Sequence, residues 1–292
     1  MTELFEIAAG SVAGRDHVLA GRNNQDAYVW SMSDQAVIGV VCDGCSKERH
    51  SEVGSQLTAQ LLVETIRRHH LQGLARGNPN LPFIHRGAYF PFWEKVRLDV
   101  LAQIRVLANA MGESFSRTVW NYFLFTTMGF IVTELGAAFF SIGDGVFFIN
   151  DEMVRLGPFT DNKPPYLAYD LVDLPDDSFE SSDLRFRLDI YPPGAVDSLL
   201  IGTDGILDLI KSQDRVIPGK TELVGPISQY WESDRFFRNP DSVRRRLVII
   251  NRESVRVDPQ KRSLVKEVGR LADDTTLIVL RRQVEAEGVV EP

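Results

Sequence analysis

Apolar runs that stop at acidic residues constrain this chain more than any other feature of its sequence. Three runs of β-branched or aromatic residues end in Asp43-Gly44, Asp144-Gly145 and Asp204-Gly205, and a fourth run follows Asp273-Asp274. Short apolar runs bounded by turn residues predict strands that are buried on both faces. The aspartate-glycine pairs predict turns that leave one carboxylate at the end of each strand.

These four strand ends would bring several carboxylates together if they meet in the fold. Crowded like charges repel one another, and aspartate is disfavoured in strand interiors. A divalent cation is the natural reason for such a cluster, because hard ions take oxygen ligands from carboxylates, carbonyl groups and water. One aspartate-glycine pair alone is more simply a hairpin turn, but all four strand ends together favour a metal site.

The composition allows a sizeable core and argues against polyanionic partners. With 292 residues, of which 44% are hydrophobic, the chain suits one large domain or two small ones. The formal net charge of −8 argues against nonspecific binding to nucleic acid or to an anionic membrane. The most apolar region, residues 122–148, is interrupted by Glu134 and Asp144, so no transmembrane span is predicted. Because the acidic start lacks a signal-peptide pattern and two cysteines give no disulfide framework, we expect a cytoplasmic protein.

The apolar periodicity predicts strands first, then two helices, a long run of strands, and finally helices and a closing strand. Predicted strands cover residues 5–10, 27–31, 37–42, 123–133, 137–142, 146–150, 153–156, 184–191, 198–203 and 275–281, the four from 123 to 156 forming a meander. Predicted helices cover residues 51–70, 96–108, 205–210, 241–251 and 264–272, and predicted loops include 15–17, 21–25 and 71–91. This order suits an α+β fold in which two antiparallel sheets stack face to face with helices outside. We expect one domain over residues 1–282 and a frayed acidic tail over 283–292.

Two further patterns indicate structure rather than a binding function. The run Arg244-Arg245-Arg246 in a predicted helix of an acidic protein indicates a solvated helix face rather than a nucleic-acid site. Cys42 and Cys45 have Cys-x-x-Cys spacing, but a structural zinc site needs four ligands and the chain has no second cysteine pair. Cys42 is predicted as a small core residue, and Cys45, next to the expected metals, is a candidate for oxidation.

Six short motifs, taken in order, resemble those of the metal-dependent protein phosphatases of the PPM (type 2C) family in its bacterial form. They are Gly21–Ala27, Val41–Gly44, Phe125–Gly129, Ile142–Gly145, Gly202–Gly205 and Asp273–Thr276, within a match over residues 10 to 281. Each motif is weak alone, whereas all of them in the family's order are a strong signal. The resemblance implies a four-layer α/β/β/α sandwich and hydrolysis of phosphoserine and phosphothreonine in proteins, opposing a Ser/Thr kinase.

The resemblance also implies a dinuclear Mn²⁺ or Mg²⁺ centre where the two sheets meet. Asp43 would bridge the two ions, and the carbonyl group of Gly44 would bind one of them. Asp204 and Asp273 would hold the other ion. A water molecule shared by the ions would attack phosphorus in line with the leaving oxygen, so no covalent nucleophile is needed.

Two more aspartates complete the site that the resemblance implies. Asp26 would act in the outer shell through water. Asp144 matches the aspartate that holds a third, looser ion in some bacterial members. The catalytic residues predicted in this way are Asp26, Asp43, Asp204 and Asp273.

The chain departs from the family pattern at three positions. Asp274 stands where the family has asparagine, and alignment with the following threonine assigns the ligand role to Asp273. Gln25 replaces a glutamate and weakens the negative charge there. The family's phosphate-binding arginine is replaced by Gly21, so we predict that Arg22 binds the substrate phosphate through a bulged loop.

The proton donor for the leaving alkoxide is a further departure. Many eukaryotic members have histidine directly after the aspartate-glycine pair, where this chain has Cys45, a poor acid for this purpose. His17 and His50 flank the site motifs and are candidates, with loop bracing as the alternative role for each. Arg15 is the alternative to Arg22 as the phosphate ligand.

Two other functions stay open beside an active phosphoprotein phosphatase. A catalytically impaired member that binds phosphoproteins as a regulator is favoured by Gln25 and by the displaced arginine. The retained Asp43, Asp204 and Asp273 oppose it, because loss of activity would not be expected to spare every carboxylate of a repelling cluster. The second alternative is a two-metal hydrolase that acts on a small phosphoester.

Overall fold

The computed structural model describes residues 1–84, 90–112, 114–174, 179–180, 182–258 and 262–283. Its strands are β1 (Phe5–Val12), β2 (Asp26–Met32), β3 (Val37–Gly44), β4 (Phe125–Thr133), β5 (Gly136–Ile142), β6 (Gly145–Ile149), β7 (Glu152–Leu156), β8 (Arg187–Tyr191), β9 (Ser198–Gly202), β10 (Ser254–Asp258), β11 (Ser263–Glu267) and β12 (Thr275–Arg282). Its helices are α1 (Arg15–Leu19), α2 (Ser51–Ala75), α3 (Pro91–Ala110), α4 (Phe115–Tyr122), α5 (Ile206–Ser212), α6 (Gln229–Glu232) and α7 (Ser242–Asn251). Short 3₁₀ turns cover Leu81–Phe83, Thr160–Asn162, Leu167–Leu171 and Asp234–Phe236.

Two five-stranded antiparallel sheets form the centre of the molecule. The first has the strand order β1-β12-β9-β6-β7, and the second has the order β2-β3-β4-β5-β8. Because β12 pairs with both β1 and β9, strands from the two ends of the chain share one sheet. The chain passes from the second sheet to the first between β5 and β6, which places Asp144 at the crossing.

Three apolar layers hold the sheets and helices together. The layer between the sheets contains Val41 of β3 and Phe130 of β4 from one side and Ile201 of β9 and Ile278 of β12 from the other. A second layer lies between the second sheet and helices α2 and α3, and a third lies between the first sheet and helices α5, α6 and α7. These layers confirm the predicted α/β/β/α sandwich.

The apolar runs that the sequence shows follow from this layering. In β3, Ile38 and Val40 contact the helix layer while Val37 and Val41 contact the other sheet, so every position of the strand is covered. A strand buried on both faces has no polar side, and its sequence is continuously apolar. The polar residues are therefore confined to the strand ends, where Asp43 lies.

Two predictions about turns and strand connections were wrong. Asp43-Gly44 does not form a turn, because β3 continues through both residues, which pair with Thr126 and Phe125 of β4. The strands predicted as one meander over 123–156 divide between the sheets, since β4 and β5 belong to the second sheet and β6 and β7 to the first. Apolar alternation identifies a strand, but it carries no information about which sheet the strand joins.

The predicted helix over 264–272 was also wrong. Residues 263–267 form β11, which pairs with β10 through Val257 and Leu264 among others. The spacing of the apolar residues fits a helix face, but Leu264 and Val268 are exposed, so this spacing does not report burial. The partner strand β10, which decides the conformation, was not predicted.

Smaller differences concern helix α1, the end of helix α2 and the three consecutive arginines of helix α7. The loop predicted at 15–17 begins helix α1, which buries none of its residues and so leaves no hydrophobic pattern to detect. Helix α2 extends past the predicted end at His70 to Ala75. Arg246 is buried against Glu222 rather than solvated, unlike Arg244 and Arg245, which are exposed and pair with Asp241.

None of the helices in the described ranges has both the length and the apolar character needed to cross a membrane. Most of the predicted frayed tail, residues 284–292, lies outside the described residues. Gln283, its first residue, is held in place, because its backbone N–H donates to the carbonyl group of Leu4 at 2.8 Å.

Candidate active site

Four aspartates from the strand ends line one cavity of about 290 Å³. Asp43 is the penultimate residue of β3, and Asp144 lies in the crossing between the sheets. Asp204 follows β9, Asp273 precedes β12, and these two strands are neighbours with Gly202 opposite Leu277. The pairing of β9 with β12 therefore brings Asp204 and Asp273 to the same end of the sandwich.

Burial raises the pKa values of all four carboxylates, and the charges of neighbouring aspartates add to it. For Asp43, burial is the larger cause, and the charges of Asp26, Asp204 and Asp273 add to it. Burial and the charges of Asp273 and Asp144 raise the pKa of Asp204 to about 7. Burial is also the main cause of the raised pKa values of Asp144, which is half-buried, and of Asp273, the most exposed of the four. A cation in this cavity would be stabilised by four groups that destabilise one another.

Asp26 lies directly opposite Asp43 in the β2–β3 register. It is 4% exposed, and the Thr203 hydroxyl donates to its Oδ2 at 2.8 Å. Its Oδ1 has no hydrogen-bond partner among the described residues. Burial and the charge of Asp274 raise its pKa well above the usual range. A buried acceptor without a donor is costly, so this oxygen suits a water molecule or a cation beside Asp43.

Gly44 allows β3 to approach its neighbours closely next to the cavity. A Cβ atom at this position would lie 2.7 Å from the carbonyl oxygen of Gln25 and 2.8 Å from Oγ of Ser51. Its backbone N–H donates to the same Gln25 carbonyl at 3.1 Å. A larger residue would displace the start of β2, which carries Asp26, so glycine is needed here for packing.

Asp274 differs from the cavity aspartates, because donors surround its carboxylate. It is 3% exposed and accepts from the backbone N–H groups of Gly14 and Gln25, both at 2.6 Å. Its Oδ2 is also 2.8 Å from Nδ1 of His17. The carboxylate of Asp274 thus ties helix α1 and the start of β2 to the segment before β12, while Asp273 lines the cavity.

The oxygen-rich lining fits a hard divalent cation. Asp43, Asp204 and Asp273 line the same cavity, but the group within the described ranges whose ligand atoms all lie within 4.8 Å is His17, Asp273 and Asp274. The structure therefore brings the predicted ligands to one cavity without placing all of them around a single point. From the sequence, His17 was a candidate proton donor with loop bracing as the alternative role, and its contact with Asp274 was not predicted.

The basic side chains at this cavity are not the predicted ones. Lys47 and Lys163 line it, and no arginine does so among the described residues. Arg22 lies at the rim, where its guanidinium donates to the carbonyl group of Ser46, a lining residue. Arg15 is directed to a backbone carbonyl before β12 at 3.0 Å. No sequence motif marked Lys163, which precedes two prolines in a loop.

One wall of the cavity is apolar, and sequence reasoning missed it. It consists of Trp120, Leu124, Tyr166, Tyr169, Leu174 and Phe179. Most of these residues come from 3₁₀ turns and loops, whose aromatic residues have no periodicity. Cys45 also lines the cavity, and burial together with this neighbouring cysteine raises the pKa of Tyr166. His50 is stacked on Tyr122 with ring centroids 5.0 Å apart and does not line the cavity.

Cys42 lies away from this chemistry, in the helix layer. Its thiol contacts the Thr127 hydroxyl at 3.4 Å, and both cysteines are free. Burial raises the pKa of the Cys42 thiol to about 12. Cys42 is therefore the small core residue that the sequence predicted, and a buried neutral thiol of this kind is inert.

A family model described as protein phosphatase 2C matches residues 13–235. No curated protein sequence matches the chain. A bacterial serine phosphatase crystal structure is 14% identical, with a TM-score of 0.49, 96% of this chain covered and 98% of the other. The serine/threonine phosphatase Stp1 of Staphylococcus aureus is 15% identical (TM-score 0.47; coverage 96% and 96%). The serine/threonine phosphatase PstP/Ppp of Mycobacterium tuberculosis is 13% identical (TM-score 0.48; coverage 96% and 100%).

Proposed function

Because the chain belongs to the protein phosphatase 2C family of protein-serine/threonine phosphatases, we propose that it hydrolyses phosphoserine and phosphothreonine in proteins at the cavity lined by Asp43, Asp204 and Asp273. The observation that carries this proposal is the crowding of carboxylates in one cavity, where burial and then the charges of neighbouring aspartates raise the pKa values of Asp43 and Asp204. Such an arrangement costs stability and is expected where a function requires it.

The fit of the cavity to divalent cations rests on its donors. The lining carboxylates and the buried Oδ1 of Asp26, which lacks a donor among the described residues, form an oxygen-only set. Asp43, Asp204, Asp273 and the Gly44 carbonyl would hold two Mn²⁺ or Mg²⁺ ions, with Asp144 for a third. Bound ions would activate water and offset charge on the phosphoryl oxygens.

The chain's own residues would position the substrate and exclude water. The Thr203 hydroxyl fixes Oδ2 of Asp26, leaving the other oxygen to hold a proton or water at the cavity edge. Lys163 and Lys47 supply positive charge in the lining, and Arg22 would contact the phosphate at the rim. Trp120 and the other aromatic residues of the apolar wall would shield the reacting groups from bulk water.

A second function is favoured by one observation. No arginine lines the cavity in the described part of the chain, whereas bidentate arginine is the usual partner of a phosphate that must be oriented for reaction. A family member with impaired catalysis could still bind phosphoproteins and act as a regulator. This alternative predicts tight phosphopeptide binding without turnover.

One assay separates the two functions. Purified protein, dialysed exhaustively, is incubated with p-nitrophenyl phosphate and a phosphothreonine peptide, with Mn²⁺, with Mg²⁺ or with excess EDTA. The proposal predicts release of phosphate with either ion and none in EDTA. Undiminished turnover in EDTA would rule out the metal mechanism, and peptide binding without turnover in any ion would support the regulator.

We further propose that the functional domain runs over residues 1–282, since β12 lies inside the first sheet, between β1 and β9. Its substrates would be proteins phosphorylated by a Ser/Thr kinase in the cytoplasm. Recombinant 1–282 should retain the activity of the full chain, and loss of metal-dependent activity in that fragment would overturn the boundary.

A further inference from the structure

A second cleft, of about 950 Å³, opens beside the acidic cavity. It lies along the edge strands of the two sheets, since β7 ends one sheet, β8 ends the other, and residues of both line it. Phe159, Phe186, Pro158 and Pro165 give it apolar walls. A groove with this mixture of apolar walls and polar groups suits a peptide segment.

The charge of this cleft is opposite to that of its surroundings. Among the described residues, its lining contains four basic side chains, Arg155, Lys163, Arg185 and Arg187, and two acidic ones, Asp161 and Asp183. The chain as a whole carries a formal charge of −8, so a local excess of positive charge is not a consequence of composition. Concentrated charge of one sign in a cleft attracts a ligand of the other sign.

Within the described residues, three of the four basic side chains in the cleft have no ion-pair partner. Arg187 is 3.3 Å from the carboxylate of Asp189. Arg155, Lys163 and Arg185 are exposed, and within the described ranges none of them forms an ion pair. By contrast, arginines on helix α7 are paired with Asp241 or Glu222. Unpaired guanidinium groups in a cleft are available for carboxylate or phosphate.

The cleft is continuous with the acidic cavity. Lys163 and Phe179 line both. Gly157 lines the cleft, and a Cβ atom built there would lie 3.1 Å from Cβ of Asp144, which lines the cavity. The positive charge of Arg155 also opposes the burial that raises the pKa of Asp144. A peptide with its phosphorylated residue in the cavity could therefore extend directly into the cleft.

We propose that this cleft binds an acidic side chain of the substrate, close in sequence to the phosphorylated residue. The ligand is a carboxylate or a second phosphate, because both suit a cluster of guanidinium and ammonium groups. The inference rests on the proposed phosphatase function and specifies its substrates as phosphoproteins with acidic or multiply phosphorylated sites. The unpaired arginines act on substrate binding rather than on the chemical step.

The experiment compares matched phosphothreonine peptides. One set carries glutamate on the N-terminal or C-terminal side, a second carries glutamine at the same positions, and a third carries phosphoserine there. The full chain with Mn²⁺ should prefer the acidic peptides by about 10-fold in kcat/KM, mainly through KM, as expected for several exposed charge pairs. The glutamate and phosphoserine sets distinguish the two sources of negative charge.

Variants of Arg185 test the role of the cleft. Arg185→Gln should reduce the preference to about 3-fold and Arg185→Glu should abolish it, with kcat for p-nitrophenyl phosphate unchanged. The matched control is Arg252→Gln, since Arg252 is also exposed and has no ion pair within the described residues. Added salt should weaken the wild-type preference.

The outcomes separate this inference from the proposed function. Equal kcat/KM for acidic and neutral peptides, or a preference that survives Arg185→Glu, would overturn the cleft assignment while leaving the phosphatase proposal intact. Absence of turnover with every substrate and ion would overturn the phosphatase proposal. In that case, fluorescence anisotropy with the same labelled peptides must still show tighter binding of the acidic set, and equal binding would reject the cleft as well.

Discussion

Asp43 and Asp274 are two carboxylates at one end of the same sandwich, and their surroundings are opposite. Asp274 accepts hydrogen bonds from two backbone N–H groups and lies 2.8 Å from His17. The neighbours that act on Asp43 are other carboxylates, and they raise its pKa in addition to burial. Burial alone therefore does not identify a functional aspartate. A carboxylate surrounded by hydrogen-bond donors stabilises the fold, whereas a carboxylate surrounded by other carboxylates requires a ligand.

The strongest test of this contrast replaces Asp43 by asparagine. The amide is uncharged and has one acceptor oxygen, so it cannot bridge two cations. We expect kcat to fall by about 10³-fold, comparable to the loss of a main electrostatic contribution to catalysis. Thermal melts without metal should show a fold as stable as the wild type or more stable. Steady-state kinetics on Asp43→Asn and on the exposed control Asp214→Asn measure the effect, and near wild-type kcat would show that Asp43 is not central.

The opposite result is expected for Asp274. Asp274→Ala leaves the N–H groups of Gly14 and Gln25 and the ring of His17 without their acceptor, so unfolding free energy should fall by about 2–3 kcal/mol. Asp274→Asn keeps one acceptor oxygen and should lose less. Urea unfolding of the metal-free protein measures both variants. Equal stability of Asp274→Ala and wild type would remove the contrast with Asp43.

Asp144 should show an intermediate effect on activity. It lies at the crossing between the sheets, and Arg155 partly offsets the rise of its pKa that burial causes. We expect Asp144→Asn to lower kcat/KM by about 10-fold at low Mn²⁺ concentration and less at high concentration, as for weakened metal affinity. A loss as large as that of Asp43→Asn would place Asp144 among the main ligands.

The smallest expected effect is on the pH dependence of stability, and it concerns two neighbouring buried histidines outside the cavity. One has a hydrogen-bonding partner and, within the described part of the chain, the other does not; Asp274 and Asp43 likewise differ in their surroundings. His69 is 2.7 Å from the carboxylate of Asp99, whereas both ring nitrogens of His70 lack partners among the described residues. Burial lowers the pKa of His70. The unfolded chain therefore binds a proton at His70 more tightly than the folded chain does. The free energy of unfolding should fall as the pH drops below about 6.5, the pKa of histidine in an unfolded chain. In thermal melts between pH 5 and 8, His70→Leu should reduce this dependence; an unchanged profile would contradict the assignment.

The sandwich could be predicted from the sequence because doubly buried strands such as β3 leave continuous apolar runs. The aspartates at the strand ends were visible for the same reason, as the first polar residues after each run. The basic cleft was not visible, because Arg155 and Arg185 lie 30 residues apart in sequence and meet only through the two sheet edges. The donors around Asp274 were also hidden, since two of them are backbone groups. The sequence therefore identified the aspartates of the acidic cavity, but it did not identify the partners of Asp274 or the basic side chains that meet in the cleft.

Metal-titration calorimetry on the wild type and Asp43→Asn tests the central claim most directly. The account predicts that Mn²⁺ binds the dialysed wild-type protein at two sites, and that Asp43→Asn weakens both, because one carboxylate is shared between them. In the wild type, the carboxylate of Asp274 already accepts from its own hydrogen-bond donors, so Asp274→Asn should retain both Mn²⁺ sites. If Asp43→Asn binds Mn²⁺ with wild-type stoichiometry and affinity, the acidic cavity is not a dinuclear centre bridged by Asp43.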